Sequence, residues 1–228
     1  MRLAVIPARG GSKRIPRKNA RDFCGKPMIA RSIKAALQSG VFDRVIVSTD
    51  DAEIATIATE YGAEVPFIRP VSLSDDMTPT RPVIAHAIEE IGAQSGQVCC
   101  IYATAPFIQA DDIKRAQERL DDGGASYVFP ITSFAYPIER ALLHDEASGH
   151  VKMFNPDNFA VRSQDLQEAW HDAGQFYWAT ASQWLRDEPV FNPTAVGIPI
   201  PRYRVQDIDT SEDWIQAELL FKAMGGTT

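Results

Sequence analysis

Short runs rich in β-branched residues alternate along this chain with longer stretches of helical periodicity, and that alternation restricts the fold more than any other feature. Leu3-Ala4-Val5-Ile6 reads as a first strand, and between Pro27 and Ser39 the residues Met28, Ile29, Ile33 and Leu37 recur at helical spacing. Arg44–Ser48 reads as a second strand, followed by a helix carrying Ile54, Ile57, Ala58 and Tyr61 and closed by Gly62. Val65-Pro66-Phe67-Ile68 predicts a short third strand. Val83, Ile84, Ala87, Ile88 and Ile91 mark another helix, and Val98–Tyr102 another strand. Residues 111–120 predict a helix ending before Gly123-Gly124, and Tyr127–Phe129 opens a further strand. Such alternation implies a mostly parallel sheet covered on both faces, a Rossmann-like three-layer α/β sandwich.

The rhythm breaks between about Phe134 and Ala173, where aromatics, Pro137 and Pro156 replace clean periodicity. That stretch is expected to be an insertion packing on something else, a second subunit in particular. The aromatic run Gln175-Phe176-Tyr177-Trp178 and a strand from Ile198 to Ile208 follow. A final helix holds Trp214, Ile215, Leu219 and Leu220, with Thr210 or Ser211 as cap and Glu212 and Asp213 in its first turn. At 228 residues, 45% of them hydrophobic, one domain over 1–228 with an insertion at about 134–173 is expected.

A formal net charge of −7 argues against general binding to nucleic acid or anionic membrane. Cys24, Cys99 and Cys100 form no CxxC pair, the four histidines lack zinc spacing, and no stretch reaches the ~18 apolar residues of a membrane span. With no signal peptide ahead of the first strand, a reduced, cytoplasmic protein is expected.

Against that acidic background, PARGGSKRIPRKN gathers Arg9, Lys13, Arg14, Arg17 and Lys18 within ten positions, with no acid until Asp22. The segment leaves the carboxyl end of the first strand, where open α/β sheets bind ligands. Gly10 and Gly11 would let backbone amides approach an anion, with Arg9 and Lys13 adding charge. A polyphosphate is the expected partner, although neither G-x-G-x-x-G nor a P-loop is present. The competing reading is a solvated basic turn.

Near the other end, Asp207 and Asp209 stand at i and i+2 on the expected strand, which would put both on one face roughly 6.5–7 Å apart. Two such oxygen donors suit Mg2+ completed by substrate phosphates, the alternative being a solvated strand end with a helix cap. Asp50 and Asp51 either face the cleft or cap the next helix. His171 and Asp172 could form a base and its orienting acid, or a structural hydrogen bond.

With these pieces placed, the chain resembles the CMP-sialate synthetases and related cytidylyltransferases. The resemblance runs through Ile6–Lys13, Lys18-Asn19, Val47–Asp50, Arg69-Pro70, Thr104-Ala105-Pro106 and Asp207-Ile208-Asp209-Thr210. Within that family it looks most like the branch acting on pseudaminic acid, through Asp22–Pro27, Arg162–Leu166 and His171–Trp178. The resemblance implies a nucleotide-diphospho-sugar transferase-like fold, a homodimer formed through the insertion, and Mg2+ as cofactor. It implies attack of a nonulosonic acid's anomeric hydroxyl on the α-phosphate of CTP, giving a CMP-sugar and pyrophosphate. By the same resemblance, Arg9, Gly10, Gly11, Ser12 and Lys13 would hold phosphates, with Lys18 nearby and Asn19 on the ribose side. Arg69 and Thr80 would contact cytosine, and Asp207 and Asp209 would hold the metal. Tyr102, Thr104, Arg162, Gln175 and Tyr177 would face the sugar, Arg162 reaching the partner's site. Tyr102 stands where sialate synthetases often carry glutamine, and His171-Asp172-Ala173-Gly174 where they carry Arg-Pro-Asn-Gly. The nucleotide side matches and the sugar side departs, so pseudaminic acid is expected over neuraminic or legionaminic acid. A non-catalytic nucleotide binder is the alternative of a different class.

Overall fold

The computed structural model describes residues 1–226. In chain order it forms β1 (Arg2–Pro7), β2 (Asp22–Phe23), β3 (Lys26–Pro27), α1 (Met28–Ser39), β4 (Arg44–Ser48), α2 (Ala52–Glu60) and α3 (Thr80–Ile91). Then come β5 (Gln97–Ile101), α4 (Ala110–Asp121), β6 (Tyr127–Ser133), β7 (Leu142–His144), β8 (Val151–Met153), β9 (Trp170–Asp172) and β10 (Phe176–Thr180). The last elements are α5 (Ala181–Trp184), β11 (Val196–Pro199) and α6 (Ser211–Ala223).

Seven strands make the main sheet, in the order β11-β6-β10-β5-β1-β4 with β9 added to β6. β1, β4, β5, β6 and β11 run one way; β9 and β10 run the other. The mostly parallel α/β architecture expected from the alternation is therefore present. β1 lies between β4 and β5, which is why Leu3 to Ile6 are all apolar and fully buried. Alternate residues feed two cores. Ala4, Ile6, Cys99 and Trp178 pack with Ile29 and Ile33 of α1, Ile54 of α2 and Ile113 of α4. Leu3, Val5, Cys100 and Tyr177 pack with Ile84 and Ile88 of α3 and Trp184 of α5. The adjacent cysteines are thus core residues on opposite faces. A third cluster joins Ile15, Phe23, Met28 and Phe107 to Ile208, Trp214 and Ala217, seating α6 beside the basic loop.

Three expectations are corrected. The third strand is reduced to two isolated bridges, Ile46↔Glu64 and Thr49↔Ile68, because Pro66 has no N–H to carry a ladder between them. The strand from Ile198 to Ile208 ends at Pro199; Pro201 opens a 3-10 turn at Arg202–Arg204, and Val205–Asp209 belongs to no strand. Residues 170–172 of the expected insertion form β9 of the main sheet, and within the rest β7 and β8 pair as a hairpin. In α6, Trp214 is buried but Ile215 and Leu219 are exposed, so its inward face is set by Trp214 and Ala217. Thr210 caps that helix in a capping box with Asp213. Among the described residues no helix is long and apolar enough to cross a membrane.

Candidate functional site

At the carboxyl ends of β1 and β5 the loops enclose a cavity of about 260 Å³. The loop after β1 contributes Arg9, Ser12, Lys18 and Asn19, the segment before α3 contributes Arg69 and Asp76, the first residue of α3 is Thr80, and the turn after β5 contributes Tyr102 and Thr104. Eight of the residues named from sequence therefore line one cavity. Asn19 is buried, and its side-chain amide donates to the Arg9 carbonyl at 3.0 Å, pinning the two ends of the basic loop together. Arg69 is 4% exposed, and burial lowers its pKa although Asp50 stands 3.7 Å away.

The glycines act differently from one another. The Gly10 N–H donates to Asp50 Oδ1 at 3.0 Å, and a Cβ at Gly10 would lie 2.4 Å from Asp51 Oδ2. Gly10 is thus required for close approach within the chain, and its amide is taken. Around Gly11 a Cβ would meet nothing within 4 Å, which leaves that side open to a ligand. The two aspartates divide the roles foreseen for them. Asp50 faces the basic loop, while Asp51 caps α2 through the Ile54 N–H and holds Arg17, whose guanidinium keeps the Asp51 carboxyl below its ordinary range.

Asp207 and Asp209 do not line the cavity wall; they are fastened to its edge. Lys18 Nζ donates to the Ile208 carbonyl at 2.5 Å and lies 3.5 Å from Asp209 Oδ1, and Arg14 Nη1 sits 2.7 Å from Asp209 Oδ2. Ile208 is fully buried between them, so the two acids point outward although no strand imposes it. Partial burial, and then the charge of Asp209, raise the Asp207 carboxyl, with Lys18 opposing. Among the described residues no group of three or more metal-ligating side chains occurs. This pair could offer a cation two oxygen ligands, the remainder coming from substrate or water.

On the other wall, Tyr102 packs against Tyr177 with ring centroids 5.4 Å apart and planes tilted by 55°, and its hydroxyl lies 3.5 Å from Thr80 Oγ1. Tyr177 itself is buried, donates to the Asp172 carboxylate, and has its hydroxyl pKa pushed up by burial. Phe176 and Trp178 are fully buried in the opposite core, because β10 lies between β5 and β6 in a sheet covered on both sides. Only Tyr102 of these aromatics borders the cavity. Gln175 is buried: its Nε2 donates to the Arg204 carbonyl at 2.6 Å, while its Oε1 has no partner among the described residues. Arg162 is exposed in the insertion, bound to Asp165 at 2.7 Å, and the fold of one chain does not bring it to the cavity. The Asp172 carboxylate serves Gly174 N–H and Tyr177 rather than His171, so the suggested base–acid pair is not formed.

Two features went unseen in the sequence. Asp76 bridges Arg9 and Lys13 from the loop before α3. A buried Arg204–Asp112 ion pair anchors the segment leading to Asp207. Neither has a periodic or motif signature in the sequence.

Fold and cavity define an α/β protein whose charged ligand cleft lies at the carboxyl ends of parallel strands. A family model described as cytidylyltransferase matches residues 3–212. A pseudaminic acid cytidylyltransferase of Campylobacter jejuni is 46% identical over 223 residues, 96% of each chain. A CMP-N,N'-diacetyllegionaminic acid synthase of Legionella pneumophila is 33% identical over 230 residues, again 96% of each. Among solved structures, a CMP:2-keto-3-deoxy-manno-octonic acid synthetase complexed with CTP superposes with a TM-score of 0.71 at 17% identity, covering 98% of this chain and 99% of that one, a likeness of fold. The chain belongs to the cytidylyltransferase family.

Proposed function

We propose that this chain transfers CMP from CTP to the anomeric hydroxyl of pseudaminic acid, releasing pyrophosphate. The observation that carries the reading is the docking of the Asp207–Asp209 segment onto the basic loop through Lys18 and Arg14, in a chain 46% identical to a pseudaminic acid cytidylyltransferase. Arg9, Lys13, Ser12 and the open side of Gly11 receive the phosphates, while Asn19, Arg69 and Thr80 hold the nucleoside. Little covalent chemistry falls to the protein, so its residues act by positioning and by neutralising charge.

The donor set fits Mg2+: two hard carboxylate oxygens beside a polyphosphate site, the Asp207 carboxyl raised in pKa by partial burial and by the charge of Asp209. When bound, the ion supplies positive charge to the phosphate oxygens as pyrophosphate departs. Tyr102 and Thr104 face the sugar, with Tyr177 backing Tyr102 and Gln175 held behind them. The chain works as one domain over residues 1–228 and as a homodimer, its insertion presenting exposed Tyr136, Phe154 and Phe159 together with Arg162 for the partner's site. A reaction drawing on CTP puts it in the cytoplasm.

Pyrophosphate release from CTP and Mg2+ with pseudaminic, N,N'-diacetyllegionaminic or N-acetylneuraminic acid tests the reading. Pseudaminic acid should react fastest, by at least about tenfold, since a site built around particular polar groups rejects analogues that leave them unpaired. A faster reaction with another acid reassigns the sugar, and no release with any of them leaves a nucleotide binder.

A further inference from the structure

Every cation of the basic loop named above already faces a carboxylate of the same chain. Arg14 and Lys18 face Asp209, Arg17 faces Asp51 and Glu53, and Arg9 and Lys13 share Asp76. These acids differ in what else they do. Asp51 is the cap of α2, and Asp209 belongs to the pair that the proposed function gives to the metal. Asp50, which faces Arg69, is fixed by the Gly10 N–H. Asp76 has two ion pairs, with Arg9 Nη1 at 2.5 Å and with Lys13 Nζ, and among the described residues no third partner.

Its loop is shaped without it. Arg69 Nε donates to Ser74 Oγ at 3.1 Å, and Asp75 Oδ1 accepts from the N–H groups of Met77 and Thr78 and from the Thr78 hydroxyl. The Asp76 carboxylate is therefore free to leave without undoing the turn that carries it. It presents one oxygen to a guanidinium and the other to an ammonium, the arrangement in which a phosphate would meet the same two groups.

We propose that Asp76 is a stand-in anion, holding Arg9 and Lys13 at the mouth of the cleft and giving them up to the phosphates of the incoming nucleotide. The inference rests on the reading above that nucleotide phosphates bind there. The exchange keeps Arg9 neutralised beside the buried Arg69 before the ligand arrives. It also lowers the apparent affinity by the fraction of free molecules in which the contact is open, and it supplies a competitor that re-enters as pyrophosphate leaves.

The test measures inorganic tripolyphosphate and cytidine binding to the wild-type chain and to Asp76→Asn by calorimetry, with Asp76→Ala in parallel. Tripolyphosphate should bind both variants more tightly, by roughly tenfold if the contact is closed in about nine of ten free molecules. Cytidine, which has no phosphate, should bind all three alike. Unchanged or weakened tripolyphosphate binding overturns the inference, and so does weakened cytidine binding, which would show that Asp76 shapes the loop. Tightened tripolyphosphate binding without pyrophosphate release from CTP, whichever sugar acid is supplied, would sustain this inference while removing the proposed function.

Discussion

Asp209 meets Arg14 and Lys18, and its neighbour Asp207 is raised in pKa by partial burial and then by the charge of Asp209. If the pair holds magnesium, Asp209→Asn should lower turnover by roughly 10²-fold or more, the scale of losing one preorganised electrostatic stabiliser. Circular dichroism should remain that of the wild type, and near-normal turnover would remove Asp209 from the mechanism. These two acids were legible because each stands in a short motif whose spacing carries chemistry. Their geometry was read for the wrong reason, since an extended segment anchored by the buried Ile208, and no strand, turns both outward. Asp76 was not legible at all. Its partners lie more than sixty residues earlier in the chain, and nothing local distinguishes it from Asp75, whose work is to make a turn.

Among the elements, the segment between β11 and α6 matters most, because it has no ladder of its own and still must present Asp207 and Asp209. It is held from two sides. Lys18 grips the Ile208 carbonyl, and Gln175 grips the Arg204 carbonyl while the Arg204 side chain pairs with Asp112 on α4, both partners being less than 10% exposed. Buried ion pairs are seldom the most stable choice, and well-packed apolar replacements are often neutral or better. The double variant Asp112→Leu with Arg204→Met should therefore keep its melting temperature while its turnover falls at least about tenfold. The single change Asp112→Leu strands a buried guanidinium and should cost about 3–5 kcal/mol in denaturant unfolding. Wild-type turnover in the double variant would reduce the pair to packing. Helices and central strands were readable from period and β-branched runs. What failed were elements that proline interrupts, at Pro66 and Pro199, and strand β10, whose aromatics are buried on both faces by neighbours far away in sequence.

For the whole molecule, the exposed side chains of the insertion are out of keeping with a chain otherwise well packed: Tyr136 is 82% exposed, Phe159 75% and Phe154 68%. Sedimentation should give twice the chain mass, and a fully active monomer would discard the dimer. If Arg162 serves the partner's cleft, mixing two inactive variants, Arg162→Ala and Asp209→Asn, should restore activity in mixed dimers, whereas a site complete within one chain would not respond to mixing. The link from Lys18 to Ile208 joins residues 190 positions apart. A ribosome delivers them in that order, so through most of synthesis the nascent chain carries its basic loop without the segment that docks on Lys18 and Arg14. Any chain cut short by proteolysis or stalled translation before Arg204 keeps Asp51, Glu53 and Asp76 against the loop but leaves Arg14 and Lys18 without Asp209, and if that acid holds the metal, such a chain binds without turnover.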